Sequence, residues 1–202
     1  MIKVGLTGGI GCGKTTIARV FSILDTPVYS ADLQAKKISA LPKVENLILK
    51  TFGSSILSKH SLHIDRQKLA QKVFSDTEQL SLLNNIIHPL LFQDFLNWVE
   101  NIKRTQPKIN YCIIEAAILF ESHLDNIVDY VIDVEAPVEL RIKRCIRRDH
   151  SSASIIQARI QQQMSCEERI KKSNYILYND EEHPILSSIL ALDQQFKTIL
   201  PI

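Results

Sequence analysis

Two rhythms of apolar residues alternate along the chain. Residues 2–7 (IKVGLT) make a short strand-like run, and from Thr15 to Leu24 the apolar residues Ile17, Val20, Phe21 and Leu24 fall three and four apart. The unit predicted is strand, loop, amphipathic helix. After a turn at Asp25 to Pro27, PVYSAD predicts a second strand ending at Asp32. YCIIE (111–115) and VDYVIDV (128–134) are apolar and β-branched enough for buried strands, and YILYN (175–179) is a fifth candidate. Nearly continuous apolar strands separated by helices predict an α/β fold, a parallel sheet covered on both faces.

Between the second and third strands, residues 36–104 carry helical patterning without a strand-like run. Asp65 and Asp76 are expected as N-caps, and Leu91, Phe95, Trp98 and Ile102 form a stripe on a helix predicted to open at Pro89. That stripe reads as core packing rather than as a ligand platform. No repeat or low-complexity linker interrupts the stretch, so it is expected to be a helical lobe growing out of the sheet domain.

Composition fits this picture. The 202 residues are 45% hydrophobic and 23% charged, enough for one globular domain with an inserted lobe. The apolar N-terminus is broken by glycine and too short for a signal sequence or span, so a cytoplasmic, membrane-free protein is expected. Cys12, Cys112, Cys145 and Cys166 form no CxxC pair and no short Cys/His spacing, which predicts reduced thiols rather than zinc or a disulfide framework. His60 and His63, in HSLH, lack a third ligand nearby and read as loop residues. Net charge is only +2, which argues against bulk polyanion binding, yet residues 137–172 hold nine Lys/Arg against four Asp/Glu.

Five of the six glycines lie in the first 21 residues, and Gly8 to Thr15 read GGIGCGKT, which fits GxxxxGK(S/T). Glycine lets backbone N–H groups approach an anion with no Cβ in the way. The helix start at Gly13 adds its positive end, Lys14 reaches the β/γ oxygens, and the Thr15 hydroxyl suits Mg²⁺. The strand before and the helix after are the context this phosphate loop requires, and a purine triphosphate is the expected ligand. The loop names no acceptor, since GTPases, transporters and kinases all use one.

Asp32 closes the predicted second strand, at the sheet edge where ligands of open α/β folds gather. There a carboxylate can accept a proton from an acceptor hydroxyl, or hold the metal through water; it can equally be an N-cap for a helix starting at Leu33. If residues 138–148 are helical, Arg141, Arg144 and Arg148 line one face, with Arg159 on a second helix capped by one of the serines 151–154. Such a run is either a solvated face or a lid whose guanidiniums close over a transferring phosphoryl group and exclude water.

These residues together resemble the dephospho-coenzyme A kinase family over nearly the whole chain. VGLTGGIGCGKT is similar to the family's GLTGGIGSGKS, with Cys12 and Thr15 for two serines. SADLQAKKI resembles DADxIAHxV, which places Asp32 at the family's proposed general base, and Lys36 where His or Arg is usual. IIHP (His88, Pro89) resembles the HP motif of the coenzyme A-binding lobe. RCIRRDHSSASIIQARIQQQM follows RLxxRDxxSxExAxxRIxxQM, which carries over Arg144, Arg148, Asp149, Arg159 and Gln163. SNYILYND resembles ADYVIDNxG, with Asn179 near the adenine. One motif departs: DxPLLFE appears as EAAILFE, with Glu115 for Asp and Ala117 for Pro, while the LFE tail is intact.

The resemblance implies a P-loop kinase that phosphorylates the 3′-hydroxyl of dephospho-coenzyme A with ATP and Mg²⁺. The core would be 1–35, 106–136 and 173–202, the substrate lobe 36–105 and the lid 137–172. Catalytic roles would fall to Asp32, Lys14, Arg144 and Arg148. Gly9, Gly11, Cys12, Gly13, Lys14, Thr15, Thr16, Arg144 and Asn179 would bind ATP. Asp32, His88, Leu119, Phe120, Glu121 and Arg159 would bind the acceptor. Thr15 would ligate the metal, with Asp32 or Glu115 through water. A monomer or small homo-oligomer is expected, with a small-molecule partner and no nucleic acid or membrane. The rivals are a nucleoside or nucleotide monophosphate kinase, which shares loop and lid, and a non-catalytic nucleotide switch. A guanine-reading NKxD motif, which a switch would favour, is missing, as are aromatics among the arginines for nucleic acid.

Overall fold

The computed structural model describes residues 1–58, 63–74, 76–150 and 152–199. His60 and Ser151 lie outside the described residues. Five parallel strands form one sheet in the order β2-β3-β1-β4-β5: β1 Ile2–Gly8, β2 Val28–Ser30, β3 Tyr111–Glu115, β4 Tyr130–Glu135 and β5 Tyr175–Tyr178. The central strand, β1, pairs Leu6 with Glu115 on one side and Thr7 with Asp133 on the other.

Period-two alternation gives the sheet two unlike faces. Ile2, Val4, Leu6, Tyr111, Ile113, Ile132, Val134 and Leu177 share a core cluster with Ile17 and Phe21 of α1 (Lys14–Ile23) and Ile189, Leu192 and Phe196 of α9 (Ile185–Thr198). The opposite face of β4 carries Asp133 and Glu135, both buried, against Arg169 of α8 (Cys166–Lys172). At the base of the first face Tyr111 donates its hydroxyl to Asp193 Oδ1 (2.6 Å), and Thr26 donates to Tyr111 (2.9 Å).

The chain divides into two compact units, Met1–Ala31 with Trp98–Ile202, and Asp32–Asn97. The first holds the sheet, α1, α9, and α6 (Val138–Asp149), α7 (Ala153–Gln161) and α8. Trp98 packs its ring on Tyr29 at 5.4 Å between centroids. The second holds most of α2 (Ala31–Ser39), α3 (Pro42–Phe52), α4 (Arg66–Phe74) and the first two-thirds of α5 (Thr77–Thr105). Val44, Ile48, Phe52, Ile56, Leu91 and Phe95 are buried there. Asp65 Oδ1 accepts the Gln67 N–H at 2.9 Å and Asp76 Oδ1 accepts that of Glu78 at 2.9 Å, the capping bonds expected of both residues.

Three expectations are corrected. The second strand ends at Ser30, and the chain is helical from Ala31, so Asp32 stands in the first turn of α2 instead of closing a strand. Pro89 does not open a helix: it lies inside the 29-residue α5, which gives up one internal hydrogen bond there and runs on because its apolar stripe is buried on both sides of the proline. Ser152 takes the N-cap position of α7, but its hydroxyl meets that of Ser154 at 3.0 Å rather than a helix N–H.

Candidate phosphate-transfer site

The phosphate loop leaves the C-terminal end of β1 and turns into α1 through Gly11 (φ 82°) and Gly13 (φ 92°), left-handed conformations that exclude other residues without strain. Lys14 is the first residue of α1 and is buried. Its Nζ donates to Glu115 Oε1 at 2.9 Å, and the Thr15 hydroxyl donates to the same oxygen at 2.7 Å. Burial pushes the Glu115 carboxyl up, but the Lys14 charge and hydrogen bonds from Lys14, Thr15 and Ser30 outweigh it and hold the group below the usual glutamate range. Glu115 is thus an anion at neutral pH, set at the end of β3 beside the loop.

The glycines answer to protein neighbours as well as to an anion. A Cβ on Gly9 would occupy the place of the Arg141 guanidinium, and one on Gly13 the place of the Asn179 amide. Cys12 is buried; its sulfur accepts the Lys14 N–H, and burial pushes its thiol up from the ordinary range. Its carbonyl accepts from Asn179 Nδ2 at 2.7 Å, and Arg144 Nη1 donates to the Asn179 carbonyl at 3.0 Å. Asn179 and Arg144 therefore brace the loop at Cys12 and Gly13. Thr16 is exposed on the outer side of α1, its N–H bonded to the Gly13 carbonyl at 2.9 Å.

The arginine line of α6 splits. Arg141 is buried and donates through Nε to the Ile10 carbonyl at 2.9 Å, so it belongs to the loop and not to a lid face. Arg148 is exposed and forks onto Asp149, Nε to Oδ1 at 2.7 Å and Nη2 to Oδ2 at 2.8 Å; Arg159 approaches Asp149 at 3.8 Å. That fork depresses the Asp149 carboxyl.

The loop after β3 holds three expected acceptor residues, differently placed. Leu119 is fully buried and crowds Gly5 of β1; Phe120 is buried with the Lys172 ammonium 5.6 Å from its ring; Glu121 is exposed and accepts the Met164 N–H at 2.8 Å. His88 lies mid-α5, stacked on Phe92 at 6.3 Å between centroids, and Asp32 is exposed at the start of α2; both belong to the second unit.

The sequence reading did not anticipate the charge cluster beneath β4. Arg169 donates from Nε to Asp133 Oδ1 at 3.3 Å, from Nη2 to Glu135, and from Nη1 to the Met164 carbonyl at 2.7 Å. Burial raises the Asp133 carboxyl well above the ordinary aspartate range, against the pull of Arg169 and with the help of the Glu135 charge. The signal was present: two acids at i and i+2 of a buried strand share a face and require a cation.

A parallel sheet in the order 2-3-1-4-5, with a glycine loop entering α1 and a carboxylate at the end of the neighbouring strand, is an α/β fold of the P-loop kind. The dephospho-CoA kinase family model matches residues 2–184. The chain belongs to the dephospho-CoA kinase family. A dephospho-CoA kinase of Bacteroides fragilis is 34% identical over 192 residues, covering 95% of this chain and 91% of that protein. A crystal structure of TT1252 from Thermus thermophilus superposes with a TM-score of 0.81 at 27% identity, covering 99% of this chain and 98% of the other. A dephospho-CoA kinase from Campylobacter jejuni superposes with a TM-score of 0.68 at 27% identity, covering 96% of both chains. The protein is therefore a kinase of the α/β P-loop kind, in a family that phosphorylates dephospho-CoA with ATP in coenzyme A biosynthesis. Among the described residues no helix is long and apolar enough to cross a membrane.

Proposed function

We propose that this chain transfers the γ-phosphoryl group of ATP to the 3′-hydroxyl of dephospho-coenzyme A, giving coenzyme A and ADP. The observation that carries the donor half is the convergence of Lys14 and Thr15 on Glu115 at the mouth of the glycine loop. The acceptor follows from family membership and from the motifs holding Asp32 and His88.

In this reading the acceptor oxygen attacks the γ-phosphorus in line as the bond to the β,γ-bridging oxygen breaks, and ADP leaves with that electron pair. Asp32, exposed in the first turn of α2, takes the hydroxyl proton. Lys14 neutralises β/γ charge from the N-terminus of α1, whose helix dipole adds its positive end. Arg144 braces the nucleotide side of the loop with Asn179 beside it; Arg148 and Arg159, on exchanging Asp149 for phosphate oxygens, stabilise the charge of the transferring group. In the first unit the loop from Leu119 to Glu121 serves the acceptor, with Leu119 and Phe120 buried and Glu121 exposed; in the second unit that role falls to His88.

The donor set fits Mg²⁺. The Thr15 hydroxyl and the Glu115 carboxylate are hard oxygen donors 2.7 Å apart, and no group of three His, Cys, Asp or Glu side chains among the described residues could make an all-protein cage. One or two protein oxygens, with waters and phosphates completing the shell, is the usual arrangement for Mg²⁺ with a nucleotide. Bound there, the ion supplies charge neutralisation at the β- and γ-phosphates.

The test is incubation of the purified protein with ATP, Mg²⁺ and a panel of acceptors. Dephospho-coenzyme A should be converted to coenzyme A, with nucleosides and nucleoside monophosphates inert. Asp32→Asn should lower kcat by about 10²-fold or more, the scale of a lost general base. No turnover above that variant sinks the assignment.

A further inference from the structure

One residue of the phosphate loop is held from both roots of the α6–α7 pair. The Ile10 N–H donates to Gln163 Oε1 at 2.8 Å, and the Ile10 carbonyl accepts from Arg141 Nε at 2.9 Å. Arg141 lies in the first turn of α6; Gln163 follows the end of α7 by two residues. The loop is shaped for this grip, since Gly9 has no side chain where the Arg141 guanidinium lies and Gly11 none where the Arg141 carbonyl lies.

Gln163 does more than hold Ile10. Its Nε2 donates to the Ala117 carbonyl at 3.2 Å, in the loop after β3. The next residue, Met164, donates its N–H to Glu121 Oε1 at 2.8 Å in that same loop, and its carbonyl accepts from Arg169 Nη1 at 2.7 Å. Arg169 is in turn fixed by Asp133 and Glu135 beneath β4. The segment between α7 and α8 thus meets the loop proposed to hold the donor, the loop proposed to hold the acceptor, and an ion cluster in the core.

We infer that Gln163 is a positioning residue whose amide bridges the Ile10 N–H and the Ala117 carbonyl, so that the seating of the α6–α7 lid, the phosphate loop and the acceptor loop are set together. Only a carboxamide of this length accepts from one peptide and donates to the other at once; a carboxylate in its place would face the Ala117 carbonyl with a like partial charge, and an apolar side chain would leave both peptides unpaired. The consequence is that the arginines of α6 and α7 reach the γ-phosphate only when the acceptor loop is also in register, which suppresses transfer to water.

This inference rests on the proposed reaction, and its test separates the two. Coenzyme A formation, and ATP hydrolysis with and without dephospho-coenzyme A, are measured for the parent, Gln163→Glu and Gln163→Met, alongside ADP affinity and thermal midpoint. In both variants kcat for transfer should fall about tenfold or more and the ratio of hydrolysis to transfer should rise several-fold. ADP affinity should move less than about threefold, because Arg141 and Asn179 still hold the loop. Gln163→Met keeps the measurement available where the half-buried charge of Gln163→Glu prevents folding. Transfer and hydrolysis falling in equal proportion, or variants that match the parent, overturn the inference. A parent that forms no coenzyme A from dephospho-coenzyme A instead indicts the reaction itself.

Discussion

Arg141 and Arg148 sit on the same helix, seven residues apart, and the protein treats them in opposite ways. Arg141, at the root, is buried, packed on Gly9 and bonded to the Ile10 carbonyl. Arg148, near the tip, is exposed and held by its neighbour Asp149. A buried guanidinium that loses its partners leaves polar groups unsatisfied, so the root contact is a matter of stability. An exposed pair is worth well under a kilocalorie, so the tip can change partners at little cost. The difference separates a fixed support of the glycine loop from the charges proposed to close over it.

The comparison breaks most readily in kinetics. Arg148→Ala should lower kcat by about 10²–10³-fold, the scale of a lost transition-state charge contact, with the thermal midpoint within about 1 °C of the parent. A folded, fully active Arg148→Ala would return the arginine to a solvated face. Arg141→Ala comes next: loss of its bond to Ile10 and its packing on Gly9 should destabilise the fold by about 2–3 kcal/mol, roughly a 5–10 °C fall in midpoint by calorimetry. If Arg148→Ala lost more stability than Arg141→Ala, the contrast between root and tip would be wrong.

The last effect is spread over pH and concerns the cluster that anchors the segment after α7. Because the Asp133 carboxyl is raised to about 7, the folded protein holds a proton that the unfolded chain releases near pH 4. The stability this group contributes is present below about pH 4 and is lost as the pH rises to about 7, at no more than about 1.4 kcal/mol per pH unit. Asp133→Asn removes that dependence, so its midpoint relative to the parent should climb across this window and then level off. Parallel profiles for the two proteins would show that Asp133 does not hold the proton.

How legible each region was follows the same division. The loop GGIGCGKT, the strand YCIIE and the caps at Asp65 and Asp76 were readable because their signals are local: a turn geometry, an apolar run, a side chain reaching its own backbone two or three residues on. Pro89 misled because a helix-start rule is a local preference, which burial of Leu91, Phe95 and Ile102 over the rest of α5 overrides. Arg141 misled for the converse reason. Its spacing with Arg144 and Arg148 was read correctly as one helix, but spacing does not say which guanidinium the sheet covers. Gln163 was noted only as part of a motif, since both of its partners, Ile10 and Ala117, are distant in sequence.

Glu115 stands where the resembled motif has aspartate, one methylene longer, and that length takes its Oε1 to both the Lys14 ammonium and the Thr15 hydroxyl. A nucleotide that reaches this lysine meets an ion already partnered. Its binding is therefore an exchange of one anion for another, and the affinity it shows is the difference between a phosphate's hold on Lys14 and a carboxylate's. In the proposed reaction a polyphosphate, with several charges, displaces that carboxylate more readily than a singly charged anion does.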